Sequence, residues 1–494
     1  LWYKDADPVS GHRTARVLVY THRWLGILSG VLFVIWFVSG IVMMYARMPE
    51  LSTSERLARL PAINAEFIRT LPSPAAEGGL SRLIIGTLEG RPVFRITAPG
   101  RAEIVFGDTG DAVPPVDADQ AIRIARAFVG GLPAVRYDAK LIDADQWSFG
   151  IRGRMPVHRI AVDDAAGTRL YVAENGGEVV LKTTASGRFW GWTGAVLHWL
   201  YFAPLRRQAA LWNETIVWLS LAGTVMCLVG IAWGLWRLAP VRGYRLRDHR
   251  QWSPYAGWMR WHHYAGLIFG VVTTTWIFSG LLSMDPWDWH PSTAPTREQR
   301  SRVAGGPIAL TDLSVDKLRK AIDAFAPDHP KELEVTRFRG RYYLIAVAGI
   351  VSIDEPKFGA RDQLRADLMV GAANAAMEGV PIEGMTWLDR YDAYYYDRDG
   401  TLSLPILRVR YRDPQQTWLY FDPKRGTIAR KEERLTRLNR WLYHGLHSLD
   451  FPFLYYNRPL WDIVVIVLSV GGIVLSATTL SASWRRVRRA LPGK

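Results

Sequence analysis

The stretch His22-Arg-Trp-Leu-Gly26-Ile-Leu-Ser-Gly30 stands where the chain enters a long apolar run, and it returns as His262-His-Tyr-Ala-Gly266-Leu-Ile-Phe-Gly270. The correspondence continues through Trp36 and Trp276, Ser39 and Ser279, and Gly40 and Gly280, always 240 positions apart. Residues four apart share one face of an α-helix, so each copy sets an imidazole and two side-chain-free patches on one stripe. Such a stripe suits a flat, bulky cofactor held through a histidine nitrogen, or close helix packing of the small-xxx-small kind.

The apolar runs around these copies decide the class. Residues 17–46, 211–238, 262–284 and 460–483 form four blocks, each near or above the roughly 20 residues that cross a hydrocarbon core of about 30 Å. An integral membrane protein is expected, with polar segments making up the rest of the 494 residues. The net charge of +15 has a location that explains it. Arg13 and Arg16 precede the first block and Arg23 lies near its start; Arg237 ends the second block and Arg242, Arg245, Arg247 and Arg250 fill the link to the third; Arg485, Arg486, Arg488, Arg489 and Lys494 close the chain. By the positive-inside rule these three regions are cytoplasmic, as are both termini, and the two long segments lie on the outer side. A basic membrane face accounts for the charge without nucleic acid.

Cys227, the sole cysteine, falls inside the second block. Disulfides, CxxC redox pairs, thiolate iron–sulfur ligation and c-type haem attachment are thereby excluded within this chain. No glycine-rich dinucleotide fingerprint follows a predicted strand, so a nicotinamide or flavin domain is not expected. The sequence opens on Leu1 rather than methionine, and its first apolar block reads as an uncleaved anchor.

A second offset, of 249, relates the later parts of the two halves. It pairs Pro156 with Pro405, Arg159 with Arg408, Tyr171 with Tyr420, Gly177 with Gly426, Arg188 with Arg437, His198 with His447 and Trp212 with Trp461. Alternating stretches at Arg82, Val93, Val157 and Arg169 predict strands, and Asp117 and Asp312 open predicted amphipathic helices. The chain therefore reads as one unit used twice: span, outer α+β domain, interfacial helix, span. Two spans per unit give both copies one orientation, related by a pseudo-twofold axis along the membrane normal. The expected organisation is a cytoplasmic start and first span in 1–46, a first outer domain in 47–185, and an interfacial helix and second span in 186–240. A basic loop and third span follow in 241–284, a second outer domain in 285–436, and an interfacial helix, fourth span and basic tail in 437–494.

Equivalent residues then share a depth: His22 with His262 toward the cytoplasm, His198 with His447 toward the outside. A histidine in or beside a membrane span is costly unless paired or ligated. Any one alone is as readily a helix–helix hydrogen bond, but four at matched positions, in two pairs without thiolates, fit two b-type haems with bis-histidine ligation in a helical bundle. Gly26, Gly30, Gly266 and Gly270 would let a macrocycle approach the backbone. Zinc or copper would recruit carboxylates or thiolates, and none lines these stripes. Arg23 and Arg260 flank the cytoplasmic pair, and Arg188, Arg206, Arg207, Arg437, Arg440 and Arg458 surround the outer one, as propionate partners or as interface anchors. His263 and His444 are alternative ligands, whereas His12, His158, His249, His290 and His329 have no counterpart in the other half. Pairing across the halves is preferred; pairing within each half, His22 with His198 and His262 with His447, stays open.

The hairpin carrying Tyr171 or Tyr420 with its closing glycine, the Leu-His segment and the following span resemble the PepSY domain with its associated membrane helices, as does the His-x-x-x-Gly-x-x-x-Gly motif. Within that group the chain is similar to the di-haem ferric-siderophore reductases of the Gram-negative inner membrane. The resemblance implies a four-span helical bundle bearing two α+β PepSY-like periplasmic domains, two haem b, and electron transfer from a quinol or cytoplasmic reductase to a periplasmic acceptor, foremost a ferric chelate. Two other readings remain open at this point: a haem-bearing subunit that passes electrons to a partner protein in a larger respiratory complex, and a haem-free regulator or sensor. Trp287–His290 and Tyr391–Asp397 are aromatic and acidic stretches able to dock a chelate, or to pack as ordinary loops.

Overall fold

The computed structural model describes residues 13–73, 79–131, 133–246, 249–355, 361–397 and 400–490; His12, Arg247 and Lys494 lie outside them. It forms two compact units. A helical unit draws on Leu1–Met48, Ser186–His290 and Leu438–Lys494, and a sheet unit on Pro49–Ala185 and Pro291–Arg437.

Four helices in the helical unit are long and apolar enough to cross a membrane: Arg13–Met43, Ala209–Trp236, Trp258–Leu282 and Leu460–Ser481, called here the first to fourth spans. The last belongs to the helix Leu460–Ala490, so the shortest of these helices, Trp258–Leu282, has 25 residues, which at about 1.5 Å per residue is about 38 Å. The first and third spans each pack against both the second and the fourth. Phe33, Phe37, Met226, Cys227 and Ile277 are buried together between them. Leu28, Ile268 and Leu228 face outward at 78%, 67% and 55% exposure. Apolar side chains around the rim and intact intrahelical hydrogen bonds are what a lipid environment demands.

The second and fourth spans are each preceded by a helix containing a π-helical turn. Ala185–Gly191 leads into Trp192–Val196 and Leu197–Trp199; Arg434–Asn439 leads into Arg440–Gly445 and Leu446–Ser448. Both end on a leucine in the left-handed region, Leu200 and Leu449, each at φ 51°. A branched residue there costs about 1–2 kcal/mol, and such outliers and π turns gather at functional sites. Each turn lies immediately before His198 or His447.

In the sheet unit the first segment supplies β1 (Arg82–Leu88), β2 (Arg91–Ala98), β3 (Arg101–Phe106), β4 (Val135–Leu141), β5 (Val157–Val162), β6 (Arg169–Ala173) and β7 (Val179–Thr183). A short hairpin of β8 (Tyr244–Leu246) and β9 (His249–Gln251) belongs to the link between the second and third spans. The second segment adds β10 (Leu333–Phe338), β11 (Arg341–Ala346), β12 (Gly349–Ser352), β13 (Ile382–Leu388), β14 (Ile406–Tyr411), β15 (Trp418–Asp422) and β16 (Thr427–Glu432). Helix Ala118–Phe128 packs on the antiparallel sheet β4-β5-β6-β7, and helix Ala366–Ala376 on β13-β14-β15-β16. Asp117 caps the first of these helices through the Gln120 N–H at 2.7 Å, a satisfied N-cap as its sequence predicts.

The two segments do not stand as separate domains. β1 pairs antiparallel with β10, Leu83 opposite Val335 and Ile85 opposite Leu333, giving one six-stranded sheet in the order β12-β11-β10-β1-β2-β3. Each three-stranded half would otherwise expose an apolar edge, and pairing the edges removes that liability. Leu83, Ile85, Phe94, Leu333, Val335 and Leu344 share a single core beneath it. An ion-pair cluster ties the same two segments: Arg56 reaches Glu332 at 2.7 Å and Glu178 at 2.8 Å.

Candidate functional site: two facing histidine pairs

The histidine rings that meet are His22 with His262 and His198 with His447, in both cases with ring centroids 6.0 Å apart. His22 and His262 lie near the starts of the first and third spans. His198 and His447 lie against Gly40 and Gly280, near the ends of the same two helices. From His22 to Gly40 the helix rises about 27 Å, so the pairs sit at opposite ends of the bundle.

The Nδ1 atom of every one of these rings is engaged by the protein. His22 donates to the Met226 carbonyl at 3.0 Å. His198 approaches the Trp36 carbonyl at 3.2 Å and Ser39 Oγ at 3.1 Å, while His447 approaches the Trp276 carbonyl at 3.2 Å and Ser279 Oγ at 3.0 Å. A carbonyl only accepts, so these three imidazoles carry their proton on Nδ1 and keep a lone pair on Nε2. His262 reaches the same state through hydroxyls. Thr478 and Thr479 donate to the Leu475 carbonyl at 2.6 and 3.2 Å, leaving oxygen lone pairs for His262 Nδ1 at 3.1 and 3.3 Å. A ring tied at one nitrogen and bare at the other is the usual preparation of a metal ligand.

Two imidazoles on opposite sides of one metal ion, with bonds of about 2 Å each, have ring centres roughly 6 Å apart. The observed separation is the spacing at which two such rings could share one metal ion. Among the described residues no group of three His, Cys, Asp or Glu side chains stands together to hold a bare metal ion. The donor set therefore fits a centre whose other ligands arrive with a macrocycle.

The profile of the PepSY-associated TM region matches residues 19–486, which include all four of these histidines. The chain belongs to that family. A search of curated proteins finds no match.

Other residues of this PepSY-associated membrane protein divide between the two pairs and the packing around them. His263 is fully used elsewhere: Nδ1 meets Ser253 Oγ at 2.8 Å and Nε2 the Gly234 carbonyl at 2.8 Å. His444 is exposed beside Tyr443, and it is His447 that faces His198. Gly26 and Gly30 abut Thr479 and Leu480, Gly266 abuts Leu475, and Gly270 abuts Ile231. These four glycines thus draw the spans together, the helix-packing use of their spacing. Glycines that do meet the imidazoles are others. A Cβ at Gly230 would lie 2.4 Å from His22 Cε1, and one at Gly40 or Gly280 would lie 3.5 or 3.7 Å from His198 or His447.

Ser39, Ser279, Gly40 and Gly280 were visible in the repeat, but their task requires the fold, which swings the later histidine of each half back onto its first helix. Gly230 had no such signal, because its counterpart is Thr479. Arg188 lies in the helix before the first π turn. Arg437 belongs to the sheet unit, where it donates to the Gln416 carbonyl at 2.9 Å and stacks on Trp418. Arg260 holds Gln251 at 3.0 Å, Arg206 stacks on Tyr201 and Trp212, and Arg440 pairs with Asp450. Tyr391–Asp397 is a packed loop: Asp392 accepts the Tyr394 and Tyr395 N–H groups, Arg408 and Tyr420, and Tyr395 is buried against Tyr420. In the other stretch Trp287 is 78% exposed, while His290 bonds Asn439 at 2.9 Å.

Proposed function

We propose that this membrane protein is a di-haem b oxidoreductase of the bacterial inner membrane, carrying electrons from a quinol or cytoplasmic reductase to a periplasmic acceptor, foremost a ferric chelate. The chain is read as two copies of one unit, with both termini cytoplasmic and the sheet unit periplasmic. The carrying observation is the pair of 6.0 Å imidazole separations with every Nδ1 engaged.

Bound haem supplies reversible one-electron Fe(III)/Fe(II) chemistry, tuned by its axial ligands and the hydrogen bonds behind them. His22 and His262 would hold one, His198 and His447 the other. The protein's part is orientation. Met226, Trp36 and Trp276 carbonyls fix three rings in the Nε2-ligating tautomer, and the threonine pair fixes the fourth. Keeping the proton on Nδ1 makes the ligand set insensitive to proton exchange and raises ligand basicity. Buried Phe33, Phe37 and Ile277 exclude water from the bundle between the two levels. At a ferric chelate, reduction to Fe(II) weakens binding by hard oxygen donors, which releases the iron.

The test is a reduced-minus-oxidised spectrum of the purified chain with a pyridine haemochrome assay. A b-type α-band and two haems per chain are expected. A pure, folded preparation expressed with ample haem and lacking that band sinks the proposal.

A further inference from the structure

A cavity of about 450 Å³ opens in the sheet unit among Arg410, Arg412, Arg437, Trp418, Glu383 and Asp413. Its charges are unevenly matched. Arg437 is 9% exposed, yet its Nη1 meets only the carbonyls of Gln416 and Glu432, at 2.9 and 3.4 Å, and its guanidinium lies 4.4 Å from the Trp418 ring centre. Among the described residues Arg410 and Arg412 form no ion pair or side-chain hydrogen bond. The Asp413 carboxylate oxygens take the Thr417 N–H and hydroxyl, both at 2.7 Å, rather than either guanidinium. Glu383 and Asp413 thus face three guanidiniums across the cavity, which leaves its lining with an excess of positive charge. A buried guanidinium without a carboxylate is costly, and an anion that enters offsets that cost.

The strands do not require this arrangement. Arg410 lies opposite Gly384 and Trp418 in the sheet, and a Cβ on Gly384 would come within 3.1 Å of Arg410 Nη2. At the matching register of the other four-stranded sheet, Ala161 lies opposite Arg136 and Arg169. There the positions of Arg410 and Arg412 are taken by Ala161 and Asp163. The ladder forms with Ala161 and Asp163 at those two positions, so strand pairing does not itself require Arg410 and Arg412 there.

We propose that this cavity binds a small polycarboxylate anion. Guanidinium forks match carboxylates in two-point hydrogen bonds, and three of them around one cavity suit a ligand with two or three carboxylate groups. The volume falls toward the lower end of the about 300–1,000 Å³ typical of small-molecule sites, the size of a metabolite rather than a folded partner. The site stands whether or not the histidine pairs hold haem.

Citrate is the probe, titrated calorimetrically into the full chain in nanodiscs. One citrate per chain is expected, with Arg410→Ala and the exposed Arg412→Ala each weakening it about tenfold or more. Arg136→Ala, at the matching register of the other four-stranded sheet, leaves the affinity unchanged. If Arg410→Ala lowers the melting temperature, Arg412→Ala decides. No citrate binding by the parent protein, equal affinity in Arg412→Ala, or inorganic phosphate competing as strongly as citrate overturns the proposal.

Discussion

The two halves of the chain, residues 13–236 and 258–481, present their second histidine alike and their first differently. His198 and His447 rest on the same set, a tryptophan carbonyl, a serine hydroxyl and a glycine, each supplied by the first span of its own half. Behind His22 stand the Met226 carbonyl and the bare face of Gly230; behind His262 stand two threonines. What both halves keep is the engagement of Nδ1, and what varies is the means. That pattern is expected when the requirement is a ligand lone pair rather than a particular packing.

The sharpest test of this equivalence is removal of the rings. His22→Ala and His262→Ala should each abolish one of two haem equivalents, the same one, and His198→Ala and His447→Ala the other, as read by haemochrome stoichiometry and redox titration. A His22→Ala protein that keeps both centres, or a folded single variant that loses both, would break the pairing across halves.

The sheet unit carries the next largest difference. Glu178 in the first half gathers Arg56, Arg95 and Arg154, whereas the corresponding residue of the second half is the exposed Thr427. Burial alone would raise the Glu178 carboxyl, but Arg95, Arg154 and Arg56 overcome it and hold the group down at about 2, against 4.5 ordinarily. Glu178→Gln should therefore destabilise the sheet unit by about 3–5 kcal/mol, because Arg95 and Arg154 lose their counter-charge while Arg56 keeps Glu332, while Thr427→Val stays within about 0.5 kcal/mol. A carboxyl depressed in the folded state stabilises above its unfolded value, so this contribution is present above about pH 4.5 and is lost as pH falls toward 2. Chemical denaturation of the full chain at pH 7 and pH 3 measures both; a Glu178→Gln protein as stable as the parent at pH 7 contradicts the cluster's role.

Gly230 and Thr479 give a smaller contrast. Gly230→Ala places a methyl 2.4 Å from His22 Cε1, so the ring must move, and haem affinity at that pair should fall about 10–100-fold, the scale of losses on disturbing the shell behind a metal ligand. Thr479→Ala removes only the longer of two hydroxyl contacts to His262 and should weaken the same site at most a few-fold. Equal effects from the two substitutions would mean that the supports are not asymmetric.

Much of this was legible in the residues. Apolar runs located the spans, alternation the hairpins β5–β6 and β14–β15, N-cap chemistry the helix at Asp117, and the offsets of 240 and 249 all four ring-bearing positions, because apolar periodicity and repeats are properties of the chain itself. The union of both outer segments in one sheet was not, since the β1–β10 contact spans some 250 residues and each strand reads the same with any antiparallel neighbour. Nor was the use of the glycines. Spacing puts Gly26 and Gly30 on the stripe of His22, yet which helix covers that stripe is a tertiary choice, and in the fold it is the fourth span. The glycine that the His22 ring does need, Gly230, lies on another helix.

Ser39 and Ser279 offer the finest probe of whether the halves are equivalent. Each hydroxyl donates to a tryptophan carbonyl, Ser39 to Trp36 at 3.2 Å and Ser279 to Trp276 at 3.0 Å, and so presents a lone pair to Nδ1 of the facing histidine. Substitution by alanine leaves that carbonyl as the remaining acceptor, so the tautomer is retained and the ligand survives. Its basicity falls slightly, which disfavours the ferric state and raises the midpoint potential of the His198–His447 centre by about 20–40 mV, for a one-electron couple in which about 59 mV is tenfold. Ser39→Ala and Ser279→Ala should give shifts of the same sign and size, additive in the double variant, with the His22–His262 potential unmoved. Unequal shifts would show that the two halves, alike in geometry at this pair, are not alike in the field they impose.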